Sequence, residues 1–156
     1  MPATPDTGGF WREFCRLRGV APSERHDVFA FGDSPALQDE LVALVLHGPK
    51  RATAMLLLEH EVGGDPMPAE GGYGVVLDGA GRPRCVIRST EVRVVPFREV
   101  DAAFAHDEGE GDRTLQSWRD NHRSYFERAC ARLGHTFTED LPVVLERFGV
   151  VWAPAP

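Results

Sequence analysis

Four consecutive residues, Lys50-Arg51-Ala52-Thr53, put an amine, a guanidinium and a hydroxyl into one short stretch. Lys50 is the single lysine among 17 basic residues; the rest are arginine. A chain that uses arginine wherever positive charge is wanted keeps a lysine where arginine would not serve. Lysine is a compact charge whose pKa can fall far enough for it to act as a base. The plain alternative is an ordinary solvated loop charge. Two chemistries suit the stretch. In the first, a desolvated Lys50 takes the proton of the Thr53 hydroxyl, giving a base and a nucleophile for attack on an amide or ester carbon. In the second, Lys50, Arg51 and the backbone amides around Gly48 cradle a phosphodiester, and Arg88 adds a second cation against the charge that develops on oxygen.

His122 is a candidate acid or base for the phosphodiester chemistry, because an unperturbed imidazole titrates near 6.5; its alternative is a packed histidine beside Trp118. Trp118 and Tyr125 are aromatics that exposed bases can stack on, although aromatics at helical spacing also build cores. Glu108, Glu110 and Asp112 bring three carboxylates within five residues. Their spacing matches no calcium loop, so neither a metal nor any other cofactor is expected. Asp112 and Arg113 are expected to form an ion pair that fixes this loop over the cleft.

These residues need elements to hold them. Ser34 is a good N-cap, Pro35 fits the first helical position, and Leu37, Leu41, Leu44 and Val45 recur on one face. Gly48 and Pro49 stop that helix and release the Lys50 loop. Phe10, Trp11, Phe14 and Leu17 predict an earlier helix ending at Gly19, followed by an irregular connection over 20–33. Residues 54–62 read as a short helix, with a strand as the alternative, and carry Glu59 and Glu61. Residues 73–78 and 84–95 predict a hairpin around Gly79-Ala80-Gly81. A short helix over 97–105, a long one from the Thr114 cap to about Leu133, and a last strand over 142–152 complete the order. That order predicts an α+β fold.

Composition bounds the rest. The 156 residues are enough for one domain with a real core, with 42% hydrophobic and 26% charged residues. No apolar run approaches 18 residues and no secretory signal is evident, so neither a membrane span nor export is expected. Three widely spaced cysteines, Cys15, Cys85 and Cys130, read as buried thiols of a reducing compartment, which predicts a cytoplasmic protein. A net charge of −7 argues against a generic duplex-DNA binder. Most of the arginines near 82–98 and 119–123 are expected to be solvated charges.

The tract FGDSP…LVLHGPKRAT resembles the G-x-K-x-x-T signature of the ASCH domain, here Gly48, Lys50 and Thr53. Gly111-Asp112-Arg113 and the pair Trp118 and His122 match the GDR and Trp-x-x-x-His features of its long form, and VVLERFGVV its last strand. The resemblance spans about residues 8–152, leaving 1–7 as a flexible terminus and 153–156 as a tail. It implies a PUA-like fold, a small, mostly antiparallel β-barrel flanked by helices, with a cleft beside the GPKRAT loop. It implies RNA or a modified nucleoside as partner, with single-stranded RNA cleavage or removal of acetyl from acetylated cytidine as activity. The deacetylating members use Lys and Thr with a Glu from the long strand, and Arg88 stands where that Glu would be. The expectation is therefore a hydrolase of single-stranded RNA, with an amidohydrolase of an acylated nucleoside and a non-catalytic RNA- or nucleotide-binding module as alternatives. Its catalytic residues would be Lys50, Thr53 and His122, and its binding residues Gly48, Arg51, Arg88, Arg113 and Trp118. A homodimer is left open.

Overall fold

The computed structural model describes residues 6–155; the outermost residues of the two expected tails, 1–5 and 156, lie outside it. Helix α1 (Thr7–Arg18) is capped by Asp6 and closes at a left-handed Gly19, and it buries Trp11 and Phe14. Strand β1 (His26–Phe29) follows, then α2 (Pro35–His47), with the Ser34 side chain accepting from the Leu37 amide. Strand β2 (Ala52–Leu56) runs directly into α3 (Leu57–Glu61). The hairpin of β3 (Tyr73–Leu77) and β4 (Pro83–Pro96) comes next. A 3-10 turn over Phe97–Glu99, α4 (Ala102–Glu108), α5 (Leu115–Arg132) and β5 (Pro142–Trp152) complete the chain.

The strands form one five-stranded sheet in the order β1-β3-β4-β5-β2. Only the β1–β3 pair is parallel. The edge strands β1 and β2 do not pair with each other, so the fold is α+β with an open, barrel-like sheet. Two expectations needed revision. The connection over 20–33 contains β1, whose four residues are too few to show a period. The apolar run after Thr53 is strand and helix in succession, because Ala52, Ala54 and Leu56 alternate inward before the chain turns at Leu57.

Three apolar clusters hold the layers. α1 covers Val75 and Val86 on one face of the sheet, and α2 covers Val76, Cys85 and Ile87 on the other. At the β2–β5 end, Ala52, Ala54, Leu56, Val143 and Leu145 pack with α4 and α5 through Phe104, Trp118 and Phe126. The alternate residues of the same strands, Thr53, Met55, Val144 and Glu146, line a cavity. Strand alternation thus separates most of the core from the site, with Ala54 and Ile87 at the border of both.

Candidate functional site

The cavity, of about 1100 Å³, spans the sheet from β1 to β2 and is roofed by α3, the 65–72 loop and one face of α5. Lys50, Thr53 and His122 line it, joined by Glu108 and Glu110. Lys50 enters its wall because Gly48 and Lys50 both donate backbone amides to the Leu44 carbonyl at the end of α2. Gly109 makes the meeting of the two loops feasible. Its φ is +70°, and a Cβ there would lie 2.6 Å from the Lys50 nitrogen. Glycine alone permits both the backbone angle and the approach.

The Lys50 ammonium, only 1% exposed, spends its three protons on the Ala52 carbonyl at 2.8 Å, Glu110 Oε2 at 2.7 Å and Glu108 Oε2 at 3.4 Å. It also lies 5.2 Å from the Phe31 ring centroid. Burial would lower its pKa, but the two carboxylates outweigh burial and raise it. The ammonium form is therefore favoured, which weighs against the lysine base expected from the sequence.

His122 sits beneath. Its Nδ1 lies 2.9 Å from the Trp118 carbonyl, which can only accept, so Nδ1 carries a proton. Its Nε2 is 3.2 Å from Glu108 Oε1, a contact too poorly aligned to be a hydrogen bond but close enough to be an ion pair. Burial pushes the imidazole pKa down, and Glu108 more than restores it, so the imidazolium is favoured. Glu108 in turn would be raised by burial, but His122 and Lys50 hold it well below the usual carboxylate range. Glu110 differs. Burial raises it, Lys50 opposes, and the neighbouring Glu108 carboxylate raises it again, to about 7. Its side chain is 25% exposed, against 1% for Glu108. Glu110 is the most exposed member of this cluster, and its carboxyl is pushed up to about 7.

Donor atoms of Glu108, Glu110 and His122 lie within 4.8 Å of one another, close enough to hold a metal ion. The Lys50 ammonium already occupies the position between the two carboxylates, so a divalent ion would have to enter against a fixed positive charge.

The other expected binding residues lie elsewhere. Arg51 turns back on α2, donating to the Val45 and Lys50 carbonyls, and its amide donates to Asp107. With the Gly48 and Lys50 amides also committed, no backbone donors remain for a phosphate cradle. Gly48 ends α2 in an extended conformation, with φ −129°. Arg88 is exposed on the α1 side of β4, donating to the Gly71 carbonyl and lying over Tyr73. Arg113 donates to the His106 carbonyl and not to Asp112, which instead accepts from Thr114. Trp118 is buried in the core, stacked on His122 at 4.1 Å.

Sequence reasoning missed Glu146 and Asp27, which line the cavity apart from the cluster. Thr53 pairs with Glu146 across β2 and β5, and Glu146 accepts a short hydrogen bond from the Ser89 hydroxyl, the inward neighbour of Arg88. Burial raises the Glu146 carboxyl. Asp27 of β1 and Glu59 of α3 also line the cavity, though Glu59 is half committed to the Leu56 amide at 2.9 Å. The available signal was a glutamate at an inward position of the apolar strand PVVLERFGVV.

Comparison with known proteins agrees with this architecture. The ASCH domain family model matches residues 27–152. An ASCH domain from Lactobacillus crispatus JV V101 superposes with a TM-score of 0.84 and 32% identity, covering 97% of this chain and 98% of that one. The protein EF3133 from Enterococcus faecalis V583, assigned to DUF984, gives 0.83 and 30%, covering 95% and 94%. A third structure, the hypothetical protein PH0355, shares the fold at 0.53 and 13% identity, covering 81% and 100%. No curated protein matches the chain. The match over most of the length, on this open barrel-like sheet, shows that the chain belongs to the ASCH domain family, a PUA-like group associated with RNA binding.

Proposed function

We propose that the protein is an amidohydrolase of a small acylated nucleoside, not a nuclease. The observation that carries this is the charge of the cavity. It is lined by carboxylates from β1, α3, β5 and the loop after α4, while its lysine is neutralised by two of them. A polyphosphate backbone would enter against that field. The cationic supports of the RNA-cleavage alternative, Arg51 and Arg88, face away. A volume of about 1100 Å³ is ample for a nucleoside with its acyl group.

In this mechanism the Thr53 hydroxyl attacks the acyl carbon, and Glu110 takes its proton. Glu110 then passes the proton to the departing amine nitrogen as the carbon–nitrogen bond breaks. Water hydrolyses the acyl-threonine ester by the same route in reverse, releasing the carboxylic acid. A carboxyl titrating near 7 is matched to both transfers at neutral pH. Lys50 and His122 serve as the charged floor that holds Glu108 ionised and Glu110 in place. The test is cytidine release from N4-acetylcytidine. Thr53→Val and Glu110→Gln are each expected to lower kcat by roughly 10²–10⁴-fold, and Glu110→Gln to remove the inflection near pH 7. Full activity in both variants contradicts the assignment.

A further inference from the structure

Glu146 is the inward residue of β5 directly opposite Thr53 of β2. Residues opposed in this way on one face of a sheet have Cβ atoms about 4.5–5.5 Å apart, so Glu146 stands beside the hydroxyl assigned as nucleophile. On its other flank is Ser89 of β4, whose hydroxyl donates to Glu146 Oε2. The β4–β5 register slips between Ser89 and Glu91, a bulge of the kind that re-aims side chains beside functional sites. Thr53, Glu146 and Ser89 thus form one row across three strands, and all three line the cavity. Glu146 is 9% and Ser89 6% exposed. The Ser89 hydroxyl is the one hydrogen-bond partner of Glu146 among the described residues, and it occupies Oε2 alone. Oε1 has no donor there, yet it is not sealed inside the protein, so it opens on the cavity. The other lining carboxylates differ. Glu108 and Glu110 have Lys50, Glu59 accepts from the Leu56 amide, and Glu24, Glu40 and Asp65 are exposed to solvent. An acceptor this buried and left half unpaired costs folding energy, which a ligand donor would offset.

We propose that Glu146 is a specificity-determining residue whose Oε1 accepts the N–H of the scissile amide, with Ser89 as the positioning residue that holds it there. That the donor belongs to an amide being cut rests on the hydrolase reading; the open acceptor beside Thr53 does not. Attack brings the acyl carbon onto the Thr53 oxygen, and the amide nitrogen is the next atom along, on a neighbour of Thr53. An amide nitrogen carries its hydrogen in the amide plane and gains its lone pair out of that plane as the acyl carbon turns tetrahedral. Glu146 therefore holds the N–H while the proton from Glu110 arrives on the lone pair, and the two carboxyls do not compete. The consequence is a preference for secondary amides. A tertiary amide has no hydrogen to offer, and an ester oxygen sets its lone pairs against the carboxylate, so either leaves Oε1 unpaired.

The test is calorimetric titration at pH 8 of the Thr53→Val protein, which cannot be acylated, with two probes: N4-acetylcytidine and N4-acetyl-N4-methylcytidine, which lacks the N–H. The secondary amide is expected to bind about 10–100-fold more tightly, the worth of one hydrogen bond to a charged group. Adding Glu146→Met should erase that preference by weakening the secondary amide alone, whereas Glu146→Gln, which retains an acceptor oxygen, should keep part of it. Ser89→Ala should reduce the preference and Ser89→Thr, which keeps the hydroxyl, should restore it. A merely structural role would weaken both probes alike. Equal binding of the two probes overturns the proposal. So does a preference that survives Glu146→Met, since it would then come from the bulk of the methyl group. Should that variant fail to fold, an undiminished preference in Ser89→Ala overturns the proposal instead. Cytidine release by the wild type from both amides at equal kcat/KM would sink the Glu146 assignment and leave the hydrolase reading standing. A Glu146-dependent preference in binding, without any turnover by the wild type, would sustain the acceptor and sink the hydrolase reading. Failure of both probes to bind overturns both.

Discussion

Lys50 and Glu108 are each 1% exposed, so neither tolerates loss of its partner. Removing one side of a buried pair leaves the other charged and desolvated, at a cost of about 3–5 kcal/mol. Lys50→Ala should therefore lower stability by that order in chemical denaturation, far more than replacement of a solvated loop lysine. Lys50→Arg should also destabilise, because a planar fork cannot reproduce three protons radiating from one nitrogen. That lysine was special was legible from its isolation among 17 basic residues. Its role was not. Desolvation pointed to a base, whereas the sign of its pKa shift depends on Glu108 and Glu110, which lie 58 and 60 positions away in sequence.

The two loops that meet at the site depend on Gly109. A side chain there would strike the Pro49 and Lys50 backbone at 2.6–2.7 Å and would strain a residue at φ +70°. Gly109→Ala should destabilise the protein by on the order of 2–5 kcal/mol and raise KM, since the displaced loop carries Glu108 and Glu110. Thermal unfolding and steady-state kinetics together check this; a neutral substitution would show that the loop approach is not needed. The frame of elements was legible where local chemistry is strong. Ser34 and Pro35 start α2, and Thr114 caps α5. β1 was not legible, because the HDVF tetrapeptide is defined by its pairing with β3 and not by its own pattern. Nor was the side of β4 that faces the site. Arg88 sits on the α1 side, where it covers Tyr73, and Ser89 points inward beside Glu146.

The charges of the whole molecule set its pH response. Glu108 is held below its ordinary value, so its contribution is complete above about pH 4.5 and is lost on acidification. Glu110, raised to about 7, binds its proton in the folded state and loses it early in the unfolded chain, so its contribution fades as pH rises from 4.5 to 7. Glu59 and Glu146 act in the same direction as Glu110. His122, raised from 6.5, stabilises fully below that pH and loses its contribution as pH rises through its folded value. The melting temperature should thus peak near about pH 5 and fall towards pH 8. Glu110→Gln should flatten the 4.5–7 interval by at most about 1.4 kcal/mol per pH unit. A profile rising to pH 8 would show that the cluster is not protonated as described. The net charge of −7 was legible as an argument against duplex DNA, but its concentration in one cavity was not, because Asp27, Glu59, Glu110 and Glu146 belong to four separate segments.

The most direct measurement offers the purified protein N4-acetylcytidine and an unstructured oligoribonucleotide in the same mixture, with Lys50→Ala alongside. Release of cytidine and acetate with the oligonucleotide intact, lost in the variant, is the predicted result. Shortening of the oligonucleotide that depends on Lys50, with acetylcytidine untouched, would contradict it.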